Sequence, residues 1–224
     1  MMADDQRFAR WCNWLKIVRK DVQDLVIKQH IFWEVQKIIK DNPRIQKPSS
    51  FYQWIGSAHC TQISIGIRRQ LDIDTRSISL RRLLCEIKQA PRVLSRKRFL
   101  SIYKPNPAIF TACQTAGLGN ALFDKYAGCN ENYFPISKIE CNLAALDVRG
   151  RKVKKFVNKT VAHLGTKRPT ELPTFGELDT CIDLLEKLVL KYQTLFEASA
   201  PASLLPTWQF DWKAVFNEPW VPRT

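Results

Sequence analysis

Apolar residues recur every three or four positions through most of the chain, and no run alternates with period two. That rhythm predicts helices rather than strands, and the scarcity of glycine (8 residues) agrees with it. From about Asp5 to Lys40, Phe8, Trp11, Cys12, Leu15 and Val18 form one stripe, continued by Val22, Leu25, Val26, Ile31, Phe32, Val35, Ile38 and Ile39. Such a stripe is the core-facing side of a long amphipathic helix, stopped by Asp41-Asn42-Pro43.

The second predicted helix runs from Phe51 to about Leu71, with Ser49 or Ser50 as N-cap. A polar break over 72–77 separates it from a helix over Leu80–Gln89, capped by Ser77 or Ser79 and closed by Pro91. Arg92 to Tyr103 is a short basic piece, followed by the turn Pro105-Asn106-Pro107. Ala108 to Tyr126 reads as helix despite Gly117 and Gly119, which lack the strand and glycine spacing of a phosphate loop. A long helix is expected from Ser137 to about Leu164, opened by a Ser137/Glu140 capping box and stopped by Gly165 and Pro169. Thr174 and Glu177 repeat the capping-box spacing before a final helix that reaches about Ala198. The fold class is therefore all-α. One bundle domain over residues 1–200 is expected, with an aromatic tail over 201–224. Trp208, Phe210, Trp212, Phe216 and Trp220 make that tail too apolar to float free, so it should dock on the bundle or grip a partner.

Composition adds a direction. The 45% of apolar residues can build a core, and 35 Lys+Arg against 21 Asp+Glu leave a net charge of +14. A surplus of that size attracts polyanions, RNA and DNA among them. Seven scattered cysteines without CxxC spacing, behind a polar and acidic start, predict reduced and mostly buried thiols in a cytoplasmic protein. No apolar run is long enough to span a bilayer, so no membrane partner is expected. His59-Cys60 has no second Cys/His pair to complete a zinc site, so neither metal nor cofactor is expected.

The chemistry concentrates in one stretch. Arg149, Arg151, Lys152, Lys154 and Lys155 place five cations in seven residues, immediately before Phe156-Val157-Asn158-Lys159-Thr160-Val161-Ala162-His163-Leu164. On a helix, Lys159 and His163 share one face. A broad cationic face beside an imidazole suits a phosphate backbone. It is equally the pattern of a solvated basic helix with a structural histidine at its end, where a positive charge suits the dipole.

Asn158-Lys159-Thr160-Val161-Ala162-His163, lying between a basic helix and a following helix, resembles the signature of the HEPN superfamily of small helical bundles. The abortive-infection U-type branch is the most similar. Ile67-Arg68-Arg69-Gln70, Ser77-Ile78-Ser79-Leu80-Arg81-Arg82-Leu83-Leu84 and Trp212-Lys213-Ala214-Val215-Phe216 with Pro219-Trp220 also resemble it. The resemblance implies an up-and-down bundle with extra helices that dimerises, placing two signature helices at a shared cleft. Active members are metal-independent ribonucleases, many of them toxins or phage-defence effectors; others only bind RNA or nucleotides. A homodimer, an RNA target and an antitoxin or other protein partner are the partners it implies.

The family pattern is an Arg, often followed by a polar residue, then a His after four to six intervening residues. With His163 fixed, the Arg should stand at 156–158, where this chain has Phe156, Val157 and Asn158. Three routes could replace it: Lys159, Arg68 or Arg69 from another helix, or a residue of a second subunit. The implied roles are His163 as proton shuttle for a ribose 2′-hydroxyl, Lys159 as stabiliser of phosphate charge, and Asn158 as an orienting group. Phosphate contacts would fall to Arg149, Arg151, Lys152, Lys154, Lys155, Arg68 and Arg69. The alternative is a helical interaction module that kept the bundle and lost the chemistry.

Overall fold

The computed structural model describes residues 2–104, 109, 111–161 and 172–220. Among these, seven α-helices and no sheet are present: α1 (Met2–Asp41), α2 (Ser50–Gln70), α3 (Leu80–Gln89), α4 (Arg96–Ile102), α5 (Ala112–Ala127), α6 (Ile136–Phe156) and α7 (Phe175–Glu197). The protein is an all-α bundle.

The first part of the long stripe read from the sequence is the inner face of α1, while Ile31, Val35, Ile38 and Ile39 at its far end are only half-buried and not core as expected. Trp11, Leu15, Val18, Val22 and Leu25 are buried, and α1 packs along α7, whose Leu178, Ile182, Leu185, Val189 and Tyr192 are buried in turn. Each such side chain contributes roughly 1.5–3 kcal/mol by leaving water. α2 crosses α1 where Gly66 admits Leu25. α6 lies against α2 and α7, and α3 packs its Leu80, Leu83, Leu84 and Ile87 toward α6.

Helix boundaries follow their caps. Ser49, Ser79 and Ser95 accept hydrogen bonds from the first turns of α2, α3 and α4. Thr111/Gln114 and Thr174/Glu177 form capping boxes on α5 and α7. The expected box at Ser137/Glu140 does not form. Pro135, in extended conformation, is the N-cap of α6 and its carbonyl accepts from Lys138 and Ile139, so Ser137 lies inside the helix. The basic piece after Pro91 divides into a 3-10 turn (Pro91–Val93) and α4. There Arg96 ties α4 to α5 through Asn120 Oδ1 at 3.0 Å and an ion pair with Asp124.

The thiols are less buried than expected. All seven are free, but only Cys181 is buried, while Cys113, Cys129 and Cys141 are exposed. Cys181 sits on the inner side of α7 and its Sγ donates to the Arg149 carbonyl at 3.2 Å. The exposed three fall on the outer sides of α5 and α6 and in the loop between them.

The tail contacts the bundle through its first half. Leu204 is buried. Its N–H donates to Glu186 Oε1 at 2.6 Å and its carbonyl accepts from Gln23 Nε2 at 2.8 Å. Trp208 and Trp212 lie beside His30, and Lys213 pairs with Glu34. Two rings of the tail stay open to water: Phe210, between the two tryptophans, is 69% exposed and Trp220 63%.

Candidate functional site

α6 carries the basic run. Val153 and Phe156 are buried against the core, while Arg151, Lys154 and Lys155 are exposed. Positions 151, 154, 155 and 158 are spaced i, i+3, i+4, i+7, so the three cations lead along one face to Asn158. Arg149 is exposed on another side of α6. Lys152 faces α7, where its Nζ donates to both carboxylate oxygens of Glu177 at 3.0 and 2.9 Å. Glu177 is thereby held below the usual carboxylate range, first by the Thr174 N–H and then by Lys152.

At Phe156 the α-helix gives way to a π-helical turn over Val157–Val161. Such turns, with one extra residue per hydrogen-bonded ring, are rare and are frequently found at functional sites. Phe156 and Val157 stay buried, and Asn158 and Lys159 are exposed on the widened turn. The Thr160 hydroxyl is buried and meets no hydrogen-bond partner among the described residues. His163 lies outside the described residues, as do the last residues of the helix expected to reach Leu164.

Arg68 joins the Ile67–Gln70 motif to the Asn158 turn. Its Nε donates to Asn158 Oδ1 at 3.1 Å, across ninety residues of chain. Its Nη1 lies 3.5 Å from Asp72 Oδ1. Burial pushes the Asp72 carboxyl up. The N–H groups of Asp74 and Ile73, together with Arg68, outweigh it and hold the group low, so it stays an anion beside the guanidinium. Arg69, one residue on, turns the other way and pairs with Asp21 of α1. The two arginines of one motif thus part: Arg68 joins the Asn158 turn and Arg69 clamps α2 to α1.

Gly150 sets this geometry. A Cβ placed there would meet Leu71 Cδ1 at 2.2 Å, so only glycine lets α6 approach the end of α2 this closely. That crossing, two turns before Asn158 and one after Arg68, brings the guanidinium within reach.

Among the described residues, no group of three or more His, Cys, Asp or Glu side chains could hold a metal ion, and no helix is long and apolar enough to cross a membrane. No family model, characterised protein or solved structure matches the chain.

Proposed function

We propose that the protein binds RNA along the Arg151–Lys154–Lys155 face of α6 and cleaves it without a metal at the Asn158–His163 turn. The observation that carries this reading is the Arg68–Asn158 contact. It sets a guanidinium beside the polar residue of the motif, in a chain whose sequence has no Arg at 156–158. Arg68 is then the cation for the phosphate, better suited than Lys159 because its planar fork matches two phosphate oxygens. His163 takes the proton of a ribose 2′-hydroxyl. The freed oxygen attacks phosphorus, the bond to the 5′-oxygen breaks, and that oxygen takes up a proton. The products are a 2′,3′-cyclic phosphate and a 5′-hydroxyl. Lys159 and Asn158 steady the substrate.

The resemblance to the HEPN superfamily supports a setting in phage defence or a toxin–antitoxin pair, with two copies sharing the cleft. Light scattering tests the pairing: a mass near twice 26.0 kDa is expected, and a monomer would remove the shared cleft. The cleavage is tested with labelled RNA in EDTA. Wild type is expected to cut and His163→Ala to fail; cutting that EDTA abolishes would sink the metal-free mechanism.

A second reading has its own support. Phe156 and Val157 are buried where active members expose a catalytic cation, and Arg68 is already paired with Asp72. A bundle that binds RNA or a protein through α6 without cutting would look the same there. RNA binding with no cleavage by wild type, at any metal concentration, selects it.

A further inference from the structure

Arg68 divides its donors unevenly. Its Nε–H is committed to Asn158 Oδ1 at 3.1 Å. Its Nη1 stands 3.5 Å from Asp72 Oδ1, an ion-pair distance rather than a short hydrogen bond. Nη2 makes no hydrogen bond among the described residues. A guanidinium offers two forks to an anion, one of Nε with Nη2 and one of Nη1 with Nη2. Asn158 closes the first. The second is left for two oxygens of an anion, which then sits with the Asp72 carboxylate alongside.

Asp72 is fixed in that place from several sides. It follows Leu71, the C-cap of α2, and its N–H donates to the Arg69 carbonyl at 3.2 Å. Its Oδ1 accepts from the Ile73 N–H at 2.9 Å and from the Asp74 N–H at 3.4 Å. Its carbonyl accepts from the hydroxyl of Ser79, the N-cap of α3. An asparagine or a serine can close the same turn through its side-chain oxygen. What the carboxylate adds is charge. The Arg68 side chain is 27% exposed and that of Asp72 32%, so solvent screens the pair only in part. The two formal charges cancel. An anion on the fork is therefore held by directed N–H groups, and a second negative charge on it gains nothing from the pair.

We propose that Asp72 tunes the Arg68 fork to the singly charged phosphodiester inside an RNA chain, against the doubly charged phosphate at a chain end. The inference rests on the RNA-cleaving reading and deepens it by naming the linkage that the site takes. A diester carries one negative charge, whereas a terminal phosphate carries about 1.5 to 2 at neutral pH. An unpaired arginine favours the second by simple attraction. The fixed carboxylate removes that advantage, so specificity here comes from a repulsive group as much as from an attractive one.

The test uses two probes without a 2′-hydroxyl, so neither is cut: deoxyadenosine 5′-monophosphate for the chain end and the dinucleoside monophosphate of deoxyadenosine for the internal linkage. Each is titrated into the full chain slightly above neutral pH, and the Arg68 Nε–H resonance, assigned by its loss in Arg68→Lys, reports binding. Asp72→Asn should raise the ratio of monophosphate to diester affinity about tenfold, the size of one unit-charge interaction near a protein surface. Asp72→Ser, which also closes the turn, should do the same. Asp74→Asn removes a carboxylate that pairs with Arg76 instead, and should leave the ratio unchanged. An unchanged ratio in both Asp72 variants would overturn the proposal, as would an equal shift in Asp74→Asn or an Arg68 resonance that neither probe moves. If the wild type still cleaves RNA in EDTA, any of these results removes the role of Asp72 alone; if it does not, the RNA reading falls with it.

Discussion

His59 shows how burial sets a charge state in this bundle. In an unfolded chain it titrates near about 6.5. In the fold, loss of water holds it at about 4, against Phe32 and Phe175. Between these values the unfolded chain takes up a proton that the folded chain refuses. Stability on this account is full above pH 6.5 and falls as the pH drops toward 4. His59→Phe keeps a flat ring on Phe32 and removes the proton site. Urea midpoints measured from pH 6.5 to 5 should therefore slope less in the variant than in the wild type; an unchanged slope would place its origin elsewhere. Gly150 is the second residue on which much depends. Gly150→Ala adds a methyl where Leu71, itself buried, leaves no room. Overpacking costs about 1–3 kcal/mol, and the better helix propensity of alanine returns about 1. A net loss of roughly 1 kcal/mol in urea unfolding is expected, together with a weaker Arg68–Asn158 contact.

Among the elements, those with a strong local signal were legible in the sequence. From Trp11 to Leu25 the stripe in α1 is buried where α1 packs along α7, whereas Ile31, Val35, Ile38 and Ile39 remain half-buried. α3 runs from Leu80 to Gln89 as expected, since Ser79 caps it and Pro91 cannot continue it. Ser137 was misleading because Pro135 could not be told from the chain to be the residue that starts α6. The π-helical turn after Phe156 had no sequence signal: it arises where α6 must keep Phe156 and Val157 buried while presenting Asn158 outward. The Thr174/Glu177 box was legible, but not that Glu177 also grips Lys152 of α6. Thr174→Ala should therefore cost about 1 kcal/mol of stability, the usual worth of an N-cap, read as a lower thermal midpoint. A midpoint unchanged from the wild type would mean that the cap is not holding α7.

At the scale of the whole molecule, the positive charge of the described residues falls into paired and exposed sets. Arg69, Arg81, Arg96 and Lys213 are spent on joining helices to one another or to the tail. Arg151, Lys154 and Lys155 stand exposed on α6. If that face contacts RNA, replacing all three with Ala should lower the slope of log affinity against log salt by about 2, the effect of three lost phosphate contacts on a single strand. An unchanged slope would move the RNA elsewhere. The open groove lined by Ile31, Val35 and Ile38 of α1 and Ile55 and Ala58 of α2 was not legible in the sequence, nor was the Arg68–Asn158 contact, for one shared reason. Each depends on which residues far apart in the chain are brought together, and periodicity reports only which side of a helix is apolar. Phe51, Trp54, Ile55 and Ala58 gave α2 a second apolar face, and nothing local said that it would stay uncovered. The central claim is that Arg68 supplies the cation the motif itself lacks. It is tested most directly by single-turnover cleavage of labelled RNA in EDTA by wild type, Arg68→Ala and Arg68→Lys. The account predicts a rate about 10²–10³-fold lower for Arg68→Ala, as for other lost charge-stabilising donors, with partial recovery in Arg68→Lys. Cleavage by Arg68→Ala at the wild-type rate would contradict it.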